Sequence, residues 1–174
     1  MTVSQDYHAT LRSYFEEEIE GEAYFEALIP FFDEPGAAGK LALLARVERC
    51  AAEVTRPLLA RHGLEPRPDE ELRAMGVRWV AEREDRHTSW QDFVGRMARD
   101  YPRFIPMFED LEAMAPEADR PRLAVLTEHE HVASRFAERE LAGDPDAADV
   151  LRRYIADCDI RGWMASDRSD RAAF

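Results

Sequence analysis

The sequence predicts an all-α protein, an up-down four-helix bundle with additional short helices. Three observations predict it. Apolar residues recur at three- and four-residue spacing over long stretches, the period of an amphipathic helix rather than of a strand. Glycines and prolines gather in short runs between those stretches, where they break helices. Hydrophobic residues at 45% and charged residues at 34% give each helix an apolar stripe and a solvated face. The 174 residues fit one domain. Its core spans about 9–142, and a C-terminal helix and tail span 146–174.

The first helix is expected from about residue 9 to 32, on Leu11, Phe15, Ile19, Phe25 and Ile29. FDEPGAAG, residues 32–39, is a turn. The second helix runs from about 39 to 62, on Leu41, Leu44, Thr55 and Leu59, and Gly63 suits the left-handed position that ends it. After LEPRP, a third helical stretch starts at Asp69 and carries Leu72, Met75, Trp79, Trp90, Phe93 and Met97. Thr88-Ser89 resembles a cap and predicts a break there. Pro102 starts a shorter helix through Met114. APEADRP, residues 115–121, is a loop before a long helix over about 121–142, which Gly143-Asp144-Pro145 ends. A last amphipathic helix covers about 146–160 on Val150, Leu151, Tyr154 and Ile155. The tail beyond is expected to be loose, with Trp163 and Phe174 as anchors to a neighbour.

The formal charge is −13, from 23 Lys+Arg against 36 Asp+Glu. That balance argues against nucleic acid, which needs a basic face, and against an anionic membrane surface. No run approaches the apolar length of a membrane span, and the N-terminus has no apolar signal segment. Cys50 and Cys158 stand far apart with no C-x-x-C, so a reduced, cytoplasmic setting is expected. A small-molecule substrate and a homodimer are the expected partners. No Walker loop, G-x-S-x-G, G-x-G-x-x-G or H-E-x-x-H occurs.

Which face the acids occupy decides where a site can be. A helix advances about 100° per residue. With Leu126 as zero, Glu130 falls at about 40°, inside the stripe of Ala133 and Ala137, and His129 falls at about −60°, on its shoulder. Glu128 and His131, spaced like a ligand pair, fall at about 200° and 140°, on the wet side. With Phe15 as zero, Glu22 lies at about −20° and Glu18 at about −60°. Glu48 sits in the middle of the second helix's stripe. Carboxylates on apolar stripes need a cation, a partner or a raised pKa. A hairpin centred on Gly36 brings Glu22 within about 3 Å of Glu48 in level and leaves Glu18 off by about 9 Å, so Glu22 and Glu48 are the favoured pair.

IEGEAYFEAL in the first helix, the central Glu48 and HEHVASRFAERELAGD in the last long helix together resemble the ferritin-like superfamily, including rubrerythrin-like and other small bacterial members. The resemblance covers about residues 10–142. It implies a carboxylate site for iron, or for manganese or zinc, with O₂-dependent redox chemistry. Its metal ligands would be Glu22, Glu48 and Glu130, with Glu18 and His129 beside them. The family's full two-iron set adds a histidine three residues after each of two acids. Here Ala51 and Ala133 occupy those places. The competing expectation needs no metal: a helical scaffold or ligand-binding module whose inner acids pair with Arg83 and Arg86, on the stripe between Trp79 and Trp90. A third reading makes one inner acid a general base with a raised pKa.

Overall fold

A computed structural model describes residues 3–83 and 88–162. All regular structure among them is helical. The α-helices are α1 (Val3–Leu28), α2 (Ala37–Arg61), α3 (Asp69–Glu82), α4 (Trp90–Asp100), α5 (Ile105–Met114), α6 (Arg120–Leu141) and α7 (Asp149–Ile160). Single 3₁₀ turns follow α1 and α4, at Ile29–Phe31 and Tyr101–Arg103.

Local chemistry accounts for the boundaries. α1 begins six residues earlier than the stripe predicts, because Tyr7 extends the series Leu11, Phe15, Ile19 by one more turn into the core. Pro30 forces the last turn into 3₁₀ form. Gly63, at φ 63°, ends α2 as expected: its N–H donates to Ala60 and the Leu64 N–H donates to Leu59. Ser89 caps α4 by accepting from the Asp92 N–H at 3.1 Å, which places the predicted break at Thr88-Ser89. The third helical stretch is therefore two helices with different partners, α3 on α1 and α4 on α6. Pro102 and Pro106 divide the next stretch into a 3₁₀ turn and α5. Trp163 and Phe174 lie outside the described residues.

α2 packs on both α1 and α6, and α5 also packs on both. The long helices α1 and α6 thus face each other across a core walled by α2 on one side and α5 on the other. In place of one long fourth helix, the described residues have the short α4, a 3₁₀ turn and α5. α7 covers α2 and α6, and sets Cys158 near Cys50, both of them free, buried thiols.

The core is two apolar clusters. One gathers Phe25, Leu44, Val47, Phe93, Phe136 and Leu151 at the hairpin end. The other gathers Tyr7, Leu11, Phe15, Leu58, Leu111 and Leu126. Each fully buried leucine or phenylalanine contributes about 1.5–3 kcal/mol. The seam between the clusters passes between Ile19 and Tyr24 on α1, Val47 and Ala51 on α2, and Leu126 and Val132 on α6. Polar residues occupy that seam. No helix of the described residues is long and apolar enough to cross a membrane.

Candidate metal centre

Three long helices each send an acid or a histidine into the seam. Glu18 from α1, Glu48 from α2 and His129 from α6 are all buried, and one ligand atom of each lies within 4.8 Å of the others. His129 Nε2 is 3.2 Å from Glu18 Oε2, 4.0 Å from Glu48 Oε2 and 3.6 Å from Glu130 Oε1. Phe108 closes one side, its ring edge-to-face with that of His129 and the centroids 5.1 Å apart.

The tautomer of His129 follows from its backbone partner. Nδ1 meets the carbonyl oxygen of Leu126, one turn back. A carbonyl only accepts, so Nδ1 carries the proton and Nε2 presents a lone pair to the acids. Burial holds the ring pKa down to about 4, so the imidazole is neutral at pH 7. The histidine therefore supplies no cation to the three carboxylates around it.

No Lys or Arg of the described residues pairs with Glu18, Glu48 or Glu130. Burial pushes Glu18 well above the ordinary carboxylate range, and the charges of Glu48 and Glu130 add to the effect. Burial also raises Glu48, to about 7, against a hydrogen bond with Glu18 that lowers it. Glu130 rises through burial and then through Glu48. Glu18 Oε2 and Glu130 Oε2 are buried without a hydrogen-bond partner. Glu18 Oε2 is within reach of His129 Nε2, but the two are not aligned to share a hydrogen.

Glu22 is elsewhere. It was the favoured partner of Glu48, yet its carboxylate pairs with Arg49 and, at 3.1 Å, with Arg73. The hairpin's centre explains the exchange. The loop runs from Leu28 to Ala37, not about Gly36 alone. Glu18 lies ten residues before its start and Glu48 eleven after its end, so these two share a level. Arg83 is also elsewhere. Its N–H still donates to the Trp79 carbonyl oxygen at 2.9 Å, so it keeps the helical phase, but the face it shares with Trp79 is not the one that meets the inner acids. Its exposed guanidinium lies over the rings of Trp79, at 4.6 Å, and Tyr24, at 5.4 Å. Arg86 lies outside the described residues. Glu128 pairs with Arg135 on the outer face, and His131 is 4.0 Å from Glu109.

Sequence reasoning passed over two residues that shape the site. Gly21 faces Glu48: a Cβ there would lie 2.8 Å from Glu48 Oε2, so the missing side chain makes the space the carboxylate fills. A glycine inside a helix costs about 1 kcal/mol relative to alanine, and that cost was the available signal. Tyr101, on the 3₁₀ turn against α6, holds a phenol whose pKa burial raises well above the ordinary value, with Tyr24, Glu48 and Glu130 adding to it. No signal in the sequence alone marks it, because its placement depends on the break after α4.

Comparison with protein-family models, curated proteins and solved structures found no match to the chain.

The donor set fits a metal. Metal–N and metal–O bonds of about 2.0–2.2 Å put neighbouring ligand atoms about 3 Å apart and opposite ones about 4.2 Å apart. The 3.2 and 4.0 Å separations from His129 Nε2 fall in that span. Two carboxylates and one imidazole suit iron, manganese or zinc, whereas calcium and magnesium prefer oxygen alone.

Proposed function

We propose that this is a metal-binding helical protein of ferritin-like design, in which Glu18, Glu48 and His129 hold one ion and Glu130 completes the set. The observation that carries this reading is the pair of buried, partnerless oxygens, Glu18 Oε2 and Glu130 Oε2, on two carboxylates that adjoin the lone pair of His129 Nε2. Leaving such atoms unpaired costs about 1–3 kcal/mol each, more if charged. A cation removes that cost for all of them together.

Each residue has its part. His129 is oriented for coordination by its bond to Leu126, as ligating histidines are by an outer partner. Glu18 and Glu48 release the protons they hold when the cation arrives, so binding strengthens as pH rises. Gly21 keeps the Glu48 carboxylate in the seam. A bound iron would supply redox chemistry toward O₂, and zinc would supply Lewis-acid polarisation or an activated water.

Elemental analysis of protein purified without tag or chelator tests the reading. About one equivalent of iron, manganese or zinc is expected, lost in Glu48→Ala and in Glu18→Gln and kept in Glu22→Gln. Metal retained in Glu48→Ala and Glu18→Gln removes the site.

A second reading rests on Glu48 itself. A carboxyl with a pKa of about 7 is poised to take and return a proton, and the cluster can serve as a metal-free general base. Metal-free protein with a Glu48-dependent activity would favour it.

A further inference from the structure

The surface above the seam carries a cavity of about 460 Å³, within the range of small-molecule sites. Its lining is unlike the rest of the molecule. The chain carries 23 basic against 36 acidic residues, yet here Arg83, Arg96 and Arg103 face one acid, Asp100. Phe93, Met97 and Phe104 supply apolar wall. Two of the arginines sit over rings: Arg83 over Trp79 and Tyr24, and Arg103 over Phe104 at 4.8 Å. A guanidinium held over an aromatic ring keeps its charge and has five N–H donors, and a carboxylate is the acceptor that such donors bind most strongly.

Tyr101 connects this cavity to the seam. It lines the cavity, and its 3₁₀ turn packs on α6, which carries His129 and Glu130. Its phenol also feels the charges of Glu48 and Glu130.

We infer that this cavity binds an amphipathic organic acid, with its carboxylate on Arg83 and Arg103 and its apolar body against Phe93, Met97 and Phe104. Tyr101 then stands between the bound acid and the Glu18, Glu48 and His129 cluster. The inference deepens the metal-site reading and rests on it only for what happens at the end of the ligand nearest Tyr101. The anion site stands on its own residues.

Calorimetric titration of the full chain with octanoate and with 3-phenylpropionate tests it, in chelator-treated and in iron(II)- or zinc-loaded protein. Octylamine is the control of opposite charge, and Arg135→Ala is the control for a distant arginine. The carboxylates are expected to bind with submillimolar Kd. Arg103→Ala, on an exposed turn, and Arg83→Ala should each weaken them at least tenfold, while Arg135→Ala changes nothing and octylamine does not bind. Glu18→Gln should lose metal and keep the carboxylate, which separates this inference from the metal site. Binding lost in the arginine variants supports the inference whichever form of the protein shows it. No binding in either form overturns it. So does binding unchanged in both arginine variants, including binding that needs the metal, which would be direct coordination. Equal binding of octylamine overturns it as well.

Discussion

Asp119 and Glu18 are almost equally hidden from water, at 1% and 2% exposed, yet their surroundings are opposite. Asp119 is surrounded by donors. Tyr7 donates to it at 2.8 Å, His62 meets it at 2.6 Å, and Arg61 forms an ion pair with it. Burial acts to raise its pKa, but the hydrogen bonds from His62, Tyr7 and Arg61 outweigh burial and hold the carboxyl below its ordinary value. Glu18 has two more carboxylates and a neutral imidazole for neighbours, and its pKa goes the other way. The outer acids of α1 resemble Asp119: Glu16 and Glu20 share Arg67, and Glu22 and Glu26 share Arg49 and Arg73. Among the described residues, the buried acids outside the seam are paired with arginine, and Glu18, Glu48 and Glu130 in the seam are not. That difference is what the proposed metal site rests on.

The contrast can be broken first at Asp119. Asp119→Ala removes the acceptor shared by Tyr7, Arg61 and His62 and is expected to cost about 3 kcal/mol in urea unfolding, as a broken buried pair does. A loss under about 0.5 kcal/mol would make the node no better than an ordinary surface pair.

The two regions should also fail at opposite ends of the pH scale. Asp119 has a lowered pKa, so its contribution is present above its ordinary value of 3.8 and is lost as pH falls below it. Glu48 has a raised pKa, so its contribution is full below 4.5 and is lost as pH rises through about 7. His129, lowered from 6.5 to about 4, contributes above 6.5 and loses that contribution as pH falls through about 4. Above pH 6.5 the acids alone remain. Chelator-treated protein should therefore lose stability between pH 6.5 and 8, by roughly 1 kcal/mol in all from Glu48. Glu48→Gln should flatten that slope, and bound metal should remove it. Chelator-treated protein whose stability holds or rises over that range would show the inner acids already ionised and at ease.

Gly21→Ala sharpens the comparison from the other side. It adds up to about 1 kcal/mol of helix propensity and forces only the flexible end of Glu48 to move. Thermal stability is expected to hold or rise slightly while metal affinity falls about tenfold. Unchanged affinity would mean that the position of Glu48 does not matter to the ion. The smallest effect is expected at Glu128→Ala, on the exposed face: within about 0.5 kcal/mol of stability, with full metal content. Metal lost there would return the outward Glu128 and His131 pair to consideration.

Much of this was legible in the sequence, because helical phase is a local property. Phase places Glu130 inside the stripe, His129 on its shoulder and Glu128 outward; the structure buries the first two, His129 the more deeply, and leaves Glu128 on the outer face. Phase also marked Glu18 and Glu48 as inner acids. It does not say what a face meets. Arg83 shares the face of Trp79 as phase predicts, but that face lies at the surface and away from the inner acids. The level of Glu18 was misjudged because turn residues were counted as helix on either side of Gly36. An error of a few residues at a loop exchanges one acid for another a turn away. Gly76 was not legible at all. A Cβ there would lie 2.0 Å from the Glu20 carbonyl oxygen, so α3 and α1 touch backbone to backbone at that point. Only the packed structure shows that need.

Anomalous diffraction from crystals grown with iron(II) or zinc tests the central claim most directly. The account predicts one peak in the seam, about 2.0–2.2 Å from His129 Nε2 and from oxygens of Glu18 and Glu48. An empty seam at full crystal occupancy of the metal elsewhere, for instance beside Asp119 or Glu22, would contradict it.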